Sequence, residues 1–61
     1  MKPTKEQFED FVRIRDSGVT NMFHVTTVCA LSTTGLTKDL CRYIMTGDNF
    51  VNLAKEYEVE I

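Results

Sequence analysis

Apolar residues recur along this chain at helical spacing in four short runs, each bounded by a residue suited to start or stop a helix. In the first run Phe8, Phe11 and Val12 stand three and four apart, with Ile14 and Arg15 flanking that face one turn on. This spacing predicts an amphipathic helix whose phenylalanines face the core. Thr4 and Gln7 mark its start, because the Thr4 hydroxyl can accept from the Gln7 backbone N–H while the Gln7 side chain reaches back. Gly18 marks its end, fitting the left-handed position that closes a helix, with Val19 placed to touch Ile14.

The second run is Val25, Val28, Cys29 and Leu31 or Ser32, expected to end at Gly35 with Leu36 behind it. Val25, Thr26, Thr27 and Val28 also favour strand conformations, so a strand is the alternative there. Thr37 is placed to cap a third helix through the Leu40 N–H, with Asp39 in its first turn. Leu40, Cys41, Ile44 and Met45 form its apolar stripe and Gly47 ends it. Asp48 is expected to cap a fourth helix carrying Phe50, Val51, Leu53, Ala54 and Tyr57. The last residues, Tyr57-Glu58-Val59-Glu60-Ile61, alternate apolar and acidic with period two, the pattern of a half-buried strand.

These elements define an all-α fold: a compact bundle of three to four short helices with an extended C-terminal tail, in one domain over residues 1–61. The second and third helices, with Gly35 between them, also have the spacing of a helix-turn-helix. The connector Thr20-Asn21-Met22-Phe23-His24 is unusually apolar. Met22 and Phe23 therefore either plug the gap between the first two helices or contact a partner.

Length narrows the functional classes. A chain of 61 residues buries only about 60% of the surface its unfolded form exposes, which limits it to one small core and excludes a large enzyme fold. Nine Asp and Glu against seven Lys and Arg is the wrong sign for an affinity built on neutralising phosphates, so nucleic acid is the less favoured partner. The net charge of −2 is unevenly spread: no Asp, Glu, Lys or Arg occurs from Ser17 to Thr37, whereas Glu56, Glu58 and Glu60 crowd the end. Hydroxyl and amide side chains interrupt the neutral stretch too often for a membrane span. The polar start, Met1 to Glu6, is followed by no apolar run, so no signal peptide is expected and the cytoplasm is the expected compartment.

Candidate chemistry is sparse. His24, Cys29 and Cys41 are the only classical soft metal ligands and include no closely spaced cysteine pair, so no metal and no cofactor are expected. Both cysteines fall on apolar stripes and read as reduced core residues, with a disulfide between them as the alternative. A His24 and Cys29 nucleophilic pair lacks an orienting carboxylate and an oxyanion donor, so no catalytic residue is assigned and the chain is not expected to be an enzyme. Arg13 and Arg15 suit the last turn of a helix through its dipole alone. The exposed face of the third helix offers Lys38, Arg42 and Tyr43 as DNA contacts. For a protein partner the candidates are Met22, Phe23, Glu56, Glu58 and Glu60.

The segment Ile14-Arg15-Asp16-Ser17-Gly18-Val19-Thr20-Asn21-Met22-Phe23, with Val28, Leu31 and the later Tyr43-Ile44 pair, resembles the I-R-x-S/T-G-x-T-N-M-F signature of a family of small uncharacterised proteins from Firmicutes and their phages and prophages. The resemblance covers about half of the chain, and His24 stands where the family carries an acidic residue. It implies a mobile-element origin and no particular chemistry. The leading expectation is thus a non-enzymatic, phage-encoded module that binds a host protein, for example an anti-CRISPR type of inhibitor. The alternatives are a helix-turn-helix DNA-binding regulator and a small self-assembling homodimer.

Overall fold

The computed structural model describes residues 2–18 and 24–60. Four helices follow in order: α1 (Lys5–Ser17), α2 (Val25–Leu31), α3 (Lys38–Met45) and α4 (Asn49–Tyr57). There is no strand among the described residues. Each helix packs on the next and α4 returns to α1, so the four enclose a single core. The radius of gyration, 10.3 Å, is close to the ~10.5 Å expected of a compact chain of this length.

The first helix forms as its end signals dictate. The Thr4 hydroxyl accepts from the Gln7 N–H at 3.2 Å, and the Gln7 side-chain oxygen accepts from the Thr4 N–H at 2.9 Å, completing a capping box. Gly18 closes the helix at φ 67°, its N–H donating to the Arg15 carbonyl. The expected contact of Val19 with Ile14 lies outside the described residues. Phe8, Phe11, Val12 and Ile14 are all buried. The Phe8 ring lies 5.4 Å from that of Phe50 and 6.3 Å from that of Tyr57, and Phe11 lies 6.1 Å from Phe50. Tilted aromatic contacts of this kind join α1 to α4 across the core.

The second element is a helix, not a strand, and it is the weakest of the four by its own resources. It has seven residues, and His24 at its N-cap makes no side-chain hydrogen bond to the helix. Isolated helices of that length do not persist in water, so packing of Val28, fully buried, and of Val25 and Cys29 against the core must hold it. It also stops at Leu31, four residues before Gly35, and Leu31 is 41% exposed where the periodicity placed it or Ser32 in the core. The reason is competition: the Ser32 hydroxyl accepts from the Thr34 and Leu36 N–H groups, at 3.2 and 3.1 Å, and so draws the backbone into a turn. Gly35, at φ 80°, belongs to the connector 32–37.

Helix α3 begins as its sequence indicates, with the Thr37 hydroxyl accepting from the Leu40 N–H at 3.2 Å. It ends at Met45, one turn of backbone tightening over Thr46, whose hydroxyl donates to the Arg42 carbonyl at 2.6 Å. Leu40, Cys41 and Ile44 are buried and Met45 packs at the edge. Asp48 occupies the N-cap position of α4 without a side-chain cap bond. Its ψ of 13° already continues the turn that the Asn49 N–H makes with the Thr46 carbonyl, and Asn49 instead uses its side-chain amide to cap the Tyr43 carbonyl at 2.8 Å. In α4, Leu53 and Ala54 are buried, but Val51 is 44% exposed and does not join the core.

Over its described residues, 57–60, the alternating tail is not a strand. Tyr57 is still helical, and Glu58 then takes a left-handed conformation at φ 56°. The Val59 N–H donates back to the Ala54 carbonyl at 2.9 Å and that of Glu58 to Lys55, which is a Schellman ending with Val59 folded against the core. With no neighbouring strand to take up their hydrogen bonds, these backbone groups satisfy themselves on the last turn of the helix. The apolar and acidic alternation reflects a helix end with one returning apolar residue.

Candidate functional site

The most elaborate polar constellation joins α1 to the connector 32–37, and it centres on Asp10. Gln7, Asp10 and Arg13 recur every three residues along one flank of α1 beside the apolar face. Asp10 is only 5% exposed. One of its carboxylate oxygens accepts from the Ser32 hydroxyl at 2.6 Å, the Thr34 hydroxyl at 2.9 Å and the Thr33 N–H at 3.0 Å. The other accepts from Arg13 through Nη2 at 2.5 Å and Nε at 3.1 Å. Arg13 also donates to the Leu31 carbonyl at 3.3 Å and Gln7 to that of Thr34 at 3.4 Å. The polar row therefore binds both ends of a short stretch of backbone. Burial alone would push the Asp10 carboxyl up, but the Ser32 hydroxyl, Arg13, the Thr34 hydroxyl and the Thr33 N–H outweigh it and hold the pKa down at about 2. A carboxylate so saturated is a poor base at neutral pH. Its chemistry is to hold the connector in place, and Ser32 gains no nucleophilic activation from it.

None of Asp10, Ser32 or Thr34 was distinguished by sequence reasoning. The available signal was a carboxylate on the first helix next to Phe11, together with a Ser-Thr-Thr-Gly turn inside the twenty-one-residue stretch 17–37 that holds no Asp, Glu, Lys or Arg.

The partner candidates at the chain end do come together in sequence and space on one helix terminus. Glu56, Glu58 and Glu60 are all exposed around the C-terminus of α4, where Lys55 is the one basic residue of the last turn. The negative end of the helix dipole lies there, so these carboxylates stand where helix electrostatics disfavours them. Glu56 pairs with Lys2, and that hydrogen bond raises the Lys2 pKa above its ordinary value. Lys2 also lies 5.6 Å from the centre of the Tyr57 ring. Met22 and Phe23, the other partner candidates, lie outside the described residues.

The DNA candidates share α3 but not one surface. Lys38 and Arg42 are exposed one turn apart, whereas Tyr43 is half-buried and packs on the core. Asp39 lies 3.9 Å from Arg42 and offsets part of its charge. The connector 32–37 between α2 and α3 is longer than the roughly three to four residues of a DNA-binding helix-turn-helix. On the first helix, Arg13 is committed to Asp10, while Arg15 pairs with Asp16 and stacks 5.0 Å over the Phe50 ring.

Cys41 is fully buried and Cys29 half-buried, and both are free thiols. Burial, and to a smaller extent the neighbouring Cys29, push the Cys41 thiol up to about 12. His24 is exposed at the start of α2. Among the described residues no three of His, Cys, Asp and Glu come together within reach of one metal ion, and no helix is long and apolar enough to cross a membrane.

No protein family, curated protein or solved structure matches this chain. The functional reading therefore rests on the residues themselves.

Proposed function

We propose that this chain is a non-enzymatic protein-binding module of phage or prophage origin, which acts by occupying a surface of a host protein. Inhibition of a defence nuclease such as a CRISPR effector is the concrete form of that action. The observation that carries the reading is the acidic end of α4: Glu56, Glu58 and Glu60 stand exposed at the negative pole of their helix, with Lys55 in its last turn and Lys2 paired to Glu56. Charge placed against its own helix dipole costs folding stability, and a basic partner surface would recover that cost on binding. The neutral exposed face of α2, with Thr26, Thr27, Ala30 and Leu31, offers a second, uncharged contact region. The I-R-x-S/T-G-x-T-N-M-F resemblance supports a mobile-element origin.

The test is a pull-down from host lysate with the wild-type chain and with a variant carrying Glu56→Gln, Glu58→Gln and Glu60→Gln. A partner retained by the wild type at low and moderate salt and lost by the variant supports the reading. Equal capture by both, or none above background, overturns it.

A second reading, recognition of DNA by α3, is favoured by one observation only, the exposed Lys38 and Arg42 one turn apart. A mobility-shift titration on the chain's own upstream region tests it, since a reader of DNA binds with steep salt dependence.

A further inference from the structure

The two cysteines are placed one on each of two packed helices. Cys29 lies on the core-facing side of α2 and Cys41 on that of α3, and α2 packs against α3 more extensively than against α1. The Cys29 side chain lies within hydrogen-bonding reach of the Cys41 thiol, and their exposures differ: Cys41 is closed to water, while Cys29 is half-buried and the more accessible of the two. The helix that carries Cys29 is also the one least able to stand alone, with seven residues and no side-chain cap at its N-terminus. A covalent tie at that point acts where the fold is weakest.

We infer that Cys29 and Cys41 form a reversible intramolecular disulfide that staples α2 to α3, made by exchange with a low-molecular-weight disulfide of the oxidised-glutathione class. Exposure sets the order of steps. The Cys29 thiolate attacks one sulfur of oxidised glutathione, the glutathione S–S bond breaks, and one glutathione leaves as a thiolate that takes up a proton. Cys41 then attacks the Cys29 sulfur of the mixed disulfide, its proton passing to the glutathione thiolate that departs. The Cys29–Cys41 bond forms and the second glutathione leaves. The protein dithiol is oxidised by two electrons and oxidised glutathione is reduced to two thiols. Because the Cys41 thiol holds its proton tightly, the second step is the slow one.

The folded full chain is incubated in a reduced and oxidised glutathione mixture and followed by intact mass and peptide mapping. The expected product is a monomer that has lost two hydrogens, with Cys29 and Cys41 in one cross-linked peptide pair and a Tm raised by roughly 10 °C, reversed by dithiothreitol. Cys29→Ser should remain unmodified, because the remaining thiol is buried, and Cys41→Ala should stop at one glutathione on Cys29. If Cys41→Ala does not fold, the wild type and Cys29→Ser decide the matter. A wild-type chain that stops at a persistent glutathione adduct overturns the inference. So does a cross-link that forms only after unfolding in urea, or modification of folded Cys29→Ser at the wild-type rate.

Discussion

The carboxylate of Asp10 on α1 accepts the hydroxyl of Ser32, twenty-two residues further along the chain, at 2.6 Å, and the same hydroxyl accepts the backbone N–H groups of Thr34 and Leu36. Ser32 is thus a relay: it ends α2, shapes the connector and hands that connector to the first helix. Arg13 neutralises Asp10 from the other side while remaining largely exposed itself. A buried charge with every neighbour aimed at it is costly to disturb, because removing one partner leaves the rest unsatisfied in a dry site.

Asp10→Asn should therefore destabilise the fold by about 2 kcal/mol, since one amide oxygen cannot accept from both the connector and Arg13. A domain of this length has a total stability of roughly 3–9 kcal/mol, so the loss is a large fraction of it. Urea unfolding followed by far-UV circular dichroism measures the difference. Ser32→Ala should cost a similar amount by orphaning two backbone N–H groups, and the double variant should cost less than the sum of the two because they share one network.

The same carboxylate predicts an acid limit. Its folded pKa, about 2, lies below its unfolded value near 3.8, so its contribution to stability is fully present above the unfolded value and is lost as pH falls towards 2. The shift corresponds to roughly 2 kcal/mol. Other carboxylates titrate in the same range, so the measurement is the difference between wild type and Asp10→Asn. That difference should hold steady from pH 7 to about pH 5 and shrink progressively from pH 4 to pH 2. A difference independent of pH would show that the carboxylate charge contributes nothing.

Much of the helical frame was legible because it is written in local chemistry. Thr4 with Gln7, Gly18 and Thr37 act on groups three or four residues away, and Phe8, Phe11, Leu40 and Ile44 need only their helical period to reveal the core. What was not legible depends on partners distant in the chain. Ser32 reads as a helical position until Asp10 is known to lie opposite it. The stretch from Tyr57 reads as a strand because period-two alternation and a Schellman return produce the same short pattern. Val51 reads as core although α4 turns it outward. The candidate acidic end was visible as a run of glutamates, but its position against the dipole of α4 required knowing that the helix continues to Tyr57.

Glu58 holds the left-handed conformation that closes α4, at φ 56°, without being a glycine. A side chain in that region costs about 1 kcal/mol through contact of its Cβ with the backbone. Glu58→Gly should consequently stabilise the chain by about 0.5–1 kcal/mol, part of the relief being returned as unfolded-state entropy. It also removes one negative charge from the negative end of the helix, which acts in the same direction. A rise in Tm of a few degrees in thermal unfolding checks this. If the acidic end binds a partner, the same variant should bind it less well while folding better, which separates the roles of Glu58 in stability and in recognition.

Tyr57 ties the two ends of the domain together. Its hydroxyl donates to the carbonyl of Pro3 at 2.6 Å, while its ring packs on Phe8, so the segment before α1 is fastened to the last turn of α4. Pro3 is itself fully buried, and it has no N–H of its own with which to seek another partner. Tyr57→Phe keeps the ring and deletes only the hydroxyl, leaving the Pro3 carbonyl without this donor. The expected loss is about 1 kcal/mol, seen as a lower urea midpoint with an unchanged slope, because the same surface is exposed on unfolding. Tyr57→Ala removes the ring as well and should cost about 3 kcal/mol or more. Equal losses in the two variants would mean that the hydroxyl alone accounts for the contact and that the aromatic seam between α1 and α4 contributes little at this position.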